Sequence, residues 1–367
     1  MILFMIIMLS LFLLWTVLNK MFIPSMQQVE LKENLPLISV LVPLRNEERN
    51  VKQLIAHLKS LTYPTLEFIL LDDQSTDRTL SLLYSNIKGD KRFQILKGNS
   101  LPNGWIGKVY ACHQLQQVAK GDYLLFIDAD VRLKPKTIDK ALHLLMKYDA
   151  KLLTGFPAFE VPSFLSKILV PMQHFVVFFH LPIRLANYTT LPSTTAAHGA
   201  FMLFERKAYD KIGGHQSVST SLVEDVHIAR NMKKHGFRVL LANITDDVSC
   251  RMYETNREVW EGFLKNIYIG LGRSYLLVFS LTVFYSFFYL MPFIWFCYGL
   301  FSFQLIYIIP YFIICAQRII VDWSTNQRLS LSLLMGLSVL SFIVLMNVSM
   351  VKAMLKKEYQ WKGRFYS

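Results

Sequence analysis

The rhythm of apolar and polar residues changes twice along this chain. Residues 1–19, MILFMIIMLSLFLLWTVLN, carry no charge, and Lys20 follows them. Such a run matches the ~20 residues a spanning helix needs. No charged stretch precedes it and no small-residue cleavage site follows, so residues 1–22 read as a transmembrane anchor and not as a removed signal peptide. The first positive charge lies behind the run, which places the chain from residue 20 onward in the cytoplasm.

From about 36 to 270, short apolar runs alternate with helical patterns. LISVLVPL (37–44), LEFILLDD (66–73), FQIL (93–96) and YLLFIDAD (123–130) read as strands. Val51, Leu54, Ile55 and Leu58 recur at helical spacing after the first. A helix opens after the second with Ser75 or Thr76 as N-cap, and residues 107–119 are helix-like after the third. Nearly all-apolar strands separated by helices predict an α/β domain with a mostly parallel sheet covered on both faces.

At 274 the texture turns apolar again. The runs 274–299, 301–320 and 329–351 are each long enough to span, and a basic tail, 352–367, follows. Three crossings would leave Lys352–Arg364 outside, against the positive-inside bias. The pattern favours two true spans, with one run re-entrant or interfacial and the tail inside. KILVPMQHFVVFFHLPIRL (167–185) is also apolar but is interrupted by Pro171, His174, His180 and Pro182. It lies between sequences that share one compartment, so it reads as an amphipathic helix lying on the membrane.

Composition agrees with this division. At 53% hydrophobic and 18% charged residues, the chain is too apolar for a soluble enzyme and too charged for an all-membrane protein. A multi-pass cell-membrane protein with a cytoplasmic domain satisfies both numbers. The net charge of +13 then fits attraction to anionic lipid, and no arginine-rich arm points to nucleic acid. Cys112, Cys250, Cys297 and Cys315 form no CxxC pair, so they read as inert buried thiols. His198, His215 and His227 lack ligand spacing and read as structural. The absence of GxSxG, P-loop and GxGxxG patterns argues against hydrolase, NTPase and dinucleotide chemistry.

The acids sit where strands end. Arg45-Asn46-Glu47-Glu48 follows the first strand, Asp72-Asp73 ends the second, and Asp128-Ala129-Asp130 ends the fourth. In a parallel sheet these clusters converge on the edge where ligands bind. Taken alone, Asp128 and Asp130 fit a strand-end turn better than a binding site. Together they suit a hard divalent ion, Mg2+ or Mn2+, of the kind that neutralises a diphosphate leaving group. Glu224 and Asp225 open a helix, where they either stabilise its dipole or supply a general base. Lys108 follows two glycines at another helix start and is either a phosphate ligand or a solvated lysine.

Six ordered segments carry a resemblance: ISVLVPLRNEE, LLDDQSTD, GWIGKVYACHQL, FIDADV, HGAFMLFERKAYDKIGGH and VEDVHIARNMKKHGFRV. Over about residues 36–240 the chain resembles the inverting family-two glycosyltransferases of GT-A fold, a Rossmann-like architecture. That resemblance implies that Pro43, Arg45, Glu47 and Asp73 border a nucleotide. It implies that Asp128 and Asp130 serve diphosphate and metal, that the GGH segment shapes the sugar pocket, and that Asp225, beside Glu224, deprotonates the acceptor.

Two departures narrow it. Gln74 stands where the family's DDGS turn has glycine, and the QxxRW motif of processive synthases is missing, REVWEGFLKNIY (257–268) following instead. Transfer of a single sugar is therefore expected. The tail YQWKGRFYS (359–367), with the anchor and the GWxGK segment, resembles membrane glycosyltransferases of terpenoid pathways, including staphyloxanthin-type carotenoid biosynthesis. The donor expected on that basis is a UDP-sugar, chiefly UDP-glucose, and the acceptor a carotenoid acid or other membrane-dissolved terpenoid. A polyprenyl phosphate or glycerolipid acceptor, or a non-catalytic membrane scaffold, are the alternatives.

Overall fold

A computed structural model describes residues 1–28, 35–355, 359–361 and 364–366, so parts of the tail motif lie outside the described residues. The elements begin with α1 (Ile2–Lys20), β1 (Ile38–Leu44), α2 (Val51–Ser60), β2 (Leu66–Asp72), α3 (Thr79–Ile87), β3 (Phe93–Lys97), α4 (Gly107–Val118), β4 (Tyr123–Ile127) and β5 (Val131–Leu133). Then come α5 (Thr137–Lys147), β6 (Leu152–Thr154), β7 (Ala158–Phe159), α6 (Phe164–Leu169), α7 (Met172–His180), α8 (Ile183–Tyr188), β8 (Phe201–Glu205), α9 (Arg206–Lys211) and α10 (Glu224–Lys234). The chain continues with β9 (Val239–Leu241), β10 (Val248–Cys250), α11 (Asn256–Gly270), α12 (Tyr275–Tyr285), α13 (Met291–Ser302), α14 (Ile309–Ser324), α15 (Met335–Met354), β11 (Tyr359–Trp361) and β12 (Arg364–Tyr366). They pack as two units, one of residues 23–158 and 182–251, the other of residues 1–22, 159–181 and 252–367.

The first unit is the α/β domain. Its sheet has the order β3-β2-β1-β4-β8-β6-β9. The strands β3, β2, β1 and β4 are mutually parallel, and β8 returns antiparallel beside β4. Alternate residues enter opposite faces, as a pleat requires. Leu41, Ile69, Leu71, Leu124, Phe126, Met202 and Phe204 join one core with Val109, Leu115, Ile228 and Met232. Their strand neighbours Val40, Val42, Phe68, Leu70, Leu125 and Leu203 are just as deeply buried on the other face. Two covered faces explain why these strands read as continuous apolar runs. At the sheet edge β3 keeps Gln94 and Lys97 exposed, which discourages pairing with another chain.

One local expectation shifts. Helix α3 starts at Thr79, later than a cap at Ser75 or Thr76 would place it. Asp77 Oδ1 instead accepts from Thr79 N at 2.9 Å and from Thr79 Oγ1 at 2.6 Å, while Ser75 and Thr76 bond to the neighbouring loop.

The second unit is helical, and among its described residues are four stretches long and apolar enough to cross a membrane: Ile2–Lys20, Tyr275–Ser302, Leu305–Ser324 and Leu329–Met354. Helix α1 packs as a bundle member. Trp15 Nε1 donates to Phe179 O at 2.8 Å, Asn19 Nδ2 to Phe178 O at 2.9 Å, and Gln317 Nε2 to Thr16 Oγ1 at 2.8 Å. The single amphipathic helix expected over 167–185 is instead α6, α7 and α8, divided at Pro171 and at Leu181-Pro182, because a proline ring cannot continue the helix before it. Of the four cysteines, Cys297 is exposed and the other three are buried.

Side-chain contacts fix the helix directions. Gln317 bonds Tyr289 at 3.0 Å and the Tyr311 ring lies 4.8 Å from that of Phe296, so α14 runs antiparallel to α12–α13. Asn347 bonds Thr282 at 2.9 Å, Tyr285 meets Phe342, and Gly336 lies under the Phe293 ring, so α15 is antiparallel to α12–α13 as well. Consecutive helices α14 and α15 therefore run the same way, and residues 325–334 must fold back along α14. Tyr311 Oη marks the turning point, donating to Leu333 O at 3.0 Å and accepting from Gly336 N at 3.2 Å.

Candidate active site

The sheet opens between β1 and β4. Successive strands β2 and β3 lie to one side of β1 and β4 to the other, which makes this gap the switch point where open α/β sheets bind ligands. Pairing of β1 with β4 ends at Leu41, whereas its pairing with β2 runs on to Leu44. Pro43 is tolerated in a central strand because it lies in this last, one-sided stretch.

The loops after β1 and β2 are stitched into one wall. Arg45 Nη1 donates to Asp73 O at 2.6 Å and to Gln74 O at 3.2 Å. Asn46 N donates to Ser75 Oγ at 2.9 Å, Thr76 N to Asn46 Oδ1 at 2.8 Å, and Glu47 N to Thr79 Oγ1 at 2.8 Å. Asp73 is buried, and its N–H donates to Leu44 O at 2.7 Å. Gln74 takes φ 56° and Asn46 φ 51°. Gln74 thus adopts the left-handed conformation that suits glycine, so the turn keeps its geometry without the glycine, at a conformational cost of roughly 1–2 kcal/mol.

Across the gap an acidic cluster forms around one lysine. Lys108, in the first turn of α4, places Nζ 2.7 Å from Asp128 Oδ1 and 3.0 Å from Glu224 Oε1. Asp128 follows β4 directly, and Glu224 and Asp225 are the first two residues of α10. The antiparallel strand β8 completes the group. Ile127 faces Phe201, so the residues before β8 arrive at the end of β4, and Gly199 N donates to Asp225 Oδ2 at 3.0 Å. A Cβ on Gly199 would lie 2.9 Å from Lys108 Nζ.

Charge and burial set the protonation states. Burial works to lower the Lys108 pKa, but the Asp128 and Glu224 carboxylates outweigh it and hold the ammonium well above its usual value. Burial would raise Glu224, yet Lys108 holds it below the ordinary range. Asp225 has less help: burial first, and then the Glu224 charge, push it up to about 7. His198 and His215 are pushed down to about 3, chiefly by burial, and are neutral imidazoles. His215 Nδ1 lies 2.6 Å from Tyr209 Oη, and a Cβ on Gly214 would meet the Tyr209 ring at 2.5 Å. The GGH segment therefore wraps a tyrosine.

Of the residues singled out from the sequence, Lys108, Asp128, Glu224 and Asp225 come together, while Pro43, Arg45, Glu47 and Asp73 form or adjoin the opposite wall. Asp130 lies on the turn into β5, its carbonyl accepting from Arg251 N at 3.3 Å. Among the described residues no three His, Cys, Asp or Glu side chains are grouped to share one metal ion. Gly199 was not visible as a site residue, because only the antiparallel return of β8 brings it there.

Residues 39–213 match the family model "Glycosyl transferase family 2". The 4,4'-diaponeurosporenoate glycosyltransferase of Staphylococcus haemolyticus is 26% identical over 264 residues, 70% of this chain and 68% of that protein. A beta-monoglucosyldiacylglycerol synthase of Nostoc is 31% identical over 124 residues, 33% of this chain and 25% of that protein. This chain thus spans about two thirds of the first relative's length and a quarter of the second's. Among solved structures, the mannosyltransferase PcManGT of Pyrobaculum calidifontis, in complex with GDP-Man and Mn2+, superposes with TM-score 0.56 at 14% identity, covering 98% of this chain and 100% of that one. Strand order, the strand-end acids and these likenesses agree: residues 39–213 are a family 2 glycosyltransferase domain, and the chain that carries it is a glycosyltransferase with membrane helices, resembling the diaponeurosporenoate enzymes.

Proposed function

We propose that this enzyme moves a single sugar, with inversion, from a nucleotide donor, UDP-glucose, onto an apolar acceptor dissolved in the membrane. The observation that carries the reading is the grouping of Asp128, Lys108, Glu224 and Asp225 at the sheet's opening, on a chain whose described residues include four membrane-length apolar stretches. A carotenoid acid or related terpenoid is the preferred acceptor, on the strength of the relatives' names. Glycerolipid is the second reading, favoured by the match to a glucosyldiacylglycerol synthase.

In this reading Pro43, Arg45, Glu47 and Asp73 border the nucleotide and Lys108 faces its diphosphate. Asp128 and Asp130 would hold a Mg2+ or Mn2+ ion, a kind of ion that proteins bind through as few as one or two carboxylates. When bound, the ion would supply charge neutralisation at the diphosphate. Asp225, poised near neutrality, accepts the proton of an acceptor hydroxyl, or orients a nucleophile that is already a carboxylate. The Gly199 N–H fixes one carboxylate oxygen of Asp225 for that task.

The reading also includes a cytoplasmic catalytic domain within residues 36–270, an anchor at 1–22, a membrane region at 274–351 and the tail 352–367 on the domain's side. Support comes from the helix directions: α15 runs antiparallel to α12–α13, and its last turns meet α12 at Thr282 and α11 at Leu264, where Ser349 Oγ donates to Leu264 O at 2.6 Å. Lys20 lies 3.9 Å over Trp323, which sets the end of α1 beside the end of α14.

The test is product analysis. Cells making a carotenoid acid, and separately cells rich in diacylglycerol, would express the protein, and mass spectrometry would identify the glycosylated lipid. A glycosylated terpenoid is expected. A glycosylated diacylglycerol alone would replace the first reading with the second.

A further inference from the structure

The Lys108 ammonium is shared between two sides of the site. Its Nζ touches Asp128, on the side where a donor diphosphate would arrive, and Glu224, on the helix that carries Asp225. Lysine is a compact charge with three donors on a flexible stem, so one Nζ satisfies both carboxylates. The missing side chain at Gly199 leaves it the room. Glu224 is buried, and a buried carboxylate that loses its cation is strongly disfavoured. A diphosphate, however, offers more charge and more acceptor oxygens than one carboxylate.

We infer that Glu224 is a positioning residue that holds Lys108 back from the donor, and that donor binding draws Nζ off Glu224 and uncovers its charge beside Asp225. That uncovered charge strengthens Asp225 as a proton acceptor while a donor is in place. The inference rests on the diphosphate-donor reading above. It carries a sign that a packing role does not: Glu224 opposes nucleotide binding, so removing its charge tightens binding even as transfer slows. Loss of packing would weaken both.

The experiment measures UDP and GDP binding, each with Mg2+, to the full-length protein in detergent by calorimetry, beside transfer rate and melting temperature. Glu224→Gln is expected to bind its nucleotide at least about five-fold tighter and to transfer more slowly. In a Lys108→Met background the same substitution should leave affinity unchanged. Glu224→Asp, whose shorter side chain draws back from Nζ, should tighten binding less and stands in where the glutamine variant does not fold. Unchanged or weaker affinity in the folded variants overturns the inference, as does equal tightening without Lys108. Should the wild-type protein bind neither nucleotide, the donor reading falls and takes this inference with it. Should it bind one that Glu224→Gln binds no more tightly, the inference alone falls.

Discussion

The backbone N–H of Gly199 donates to Asp225 Oδ2 at 3.0 Å, joining the start of a strand to the start of a helix 26 residues later. Alanine at 199 would place a Cβ 2.9 Å from Lys108 Nζ and 3.8 Å from Asp225 Cβ. The nearest atom is the end of a flexible side chain, so Gly199→Ala should fold, losing no more than about 1 kcal/mol. Its cost should fall on catalysis, because a displaced ammonium no longer bridges Asp128 and Glu224. Transfer is expected to drop on the order of ten-fold or more. Melting temperature and kcat/KM, measured together, check this, and a fully active variant would show that the contact is unimportant.

Asp225 gives the rate a pH signature. Burial and the Glu224 charge hold its carboxyl near 7, so the basic form is lost below neutrality. With a hydroxyl acceptor, kcat/KM should rise through about pH 7 and level off above it, and Asp225→Asn should flatten the profile along with the rate. A carboxylate acceptor needs no base, so its profile should lack that inflection. The same group acts on stability with the opposite preference. Its folded pKa of about 7 lies above the ordinary 3.8, so its contribution is fully present below 3.8 and is lost as pH rises through 7. Thermal melts from pH 4 to 8, with Asp225→Asn as the reference, separate this contribution from the rest.

How far the sequence reveals this site follows from locality. The four parallel strands and the acids at their ends are written in local order, apolar run by apolar run, and the parallel topology then brings those ends together. Lys108 was legible as a helix-start lysine, but its two carboxylate partners are 20 and 116 residues away along the chain and no pattern links them. Gly199 depends on β8 running antiparallel, and a mostly apolar strand such as FMLFE does not declare its direction. In the helical unit, hydropathy reports length and apolarity but not direction. The fold-back at 325–334 therefore emerges only from contacts such as Tyr311 with Leu333.

Gln74 offers a test of backbone cost. Its φ of 56° is one that glycine adopts freely and that a β-branched side chain strongly resists. Gln74→Gly should raise the melting temperature slightly, the relief of about 1 kcal/mol being partly offset by greater freedom of the unfolded chain. Gln74→Val should lower it, by roughly 1–3 kcal/mol of stability. If valine were tolerated, the turn would have to relax, and the bond from Arg45 to Gln74 O would be the first casualty.

Arg318 and Asp322 pose the opposite problem, a full ion pair with no exposure at all, one turn apart in α14. Nε lies 2.8 Å from Asp322 Oδ1, and Nη1 rests 2.9 Å from Met172 Sδ and 3.8 Å from Met335 Sδ. Arg318 Nη2 and Asp322 Oδ2 have no hydrogen-bond partner among the described residues. A pair this incompletely satisfied adds little net stability, but removing one member strands the other charge. Arg318→Met should therefore cost about 3–5 kcal/mol, whereas Arg318→Met with Asp322→Leu should recover most of the loss or exceed the wild type. Melting in detergent measures both. The pair stands beside the fold-back, Gln327 N donating to Asp322 O at 2.8 Å, so a role in register is expected, with the pair fixing where the chain turns back along α14. If so, the double variant should be stable yet let introduced cysteines at 326 and 330 react more readily with a membrane-impermeant reagent. Stability without any change in that labelling would leave the pair no part in fixing the turn.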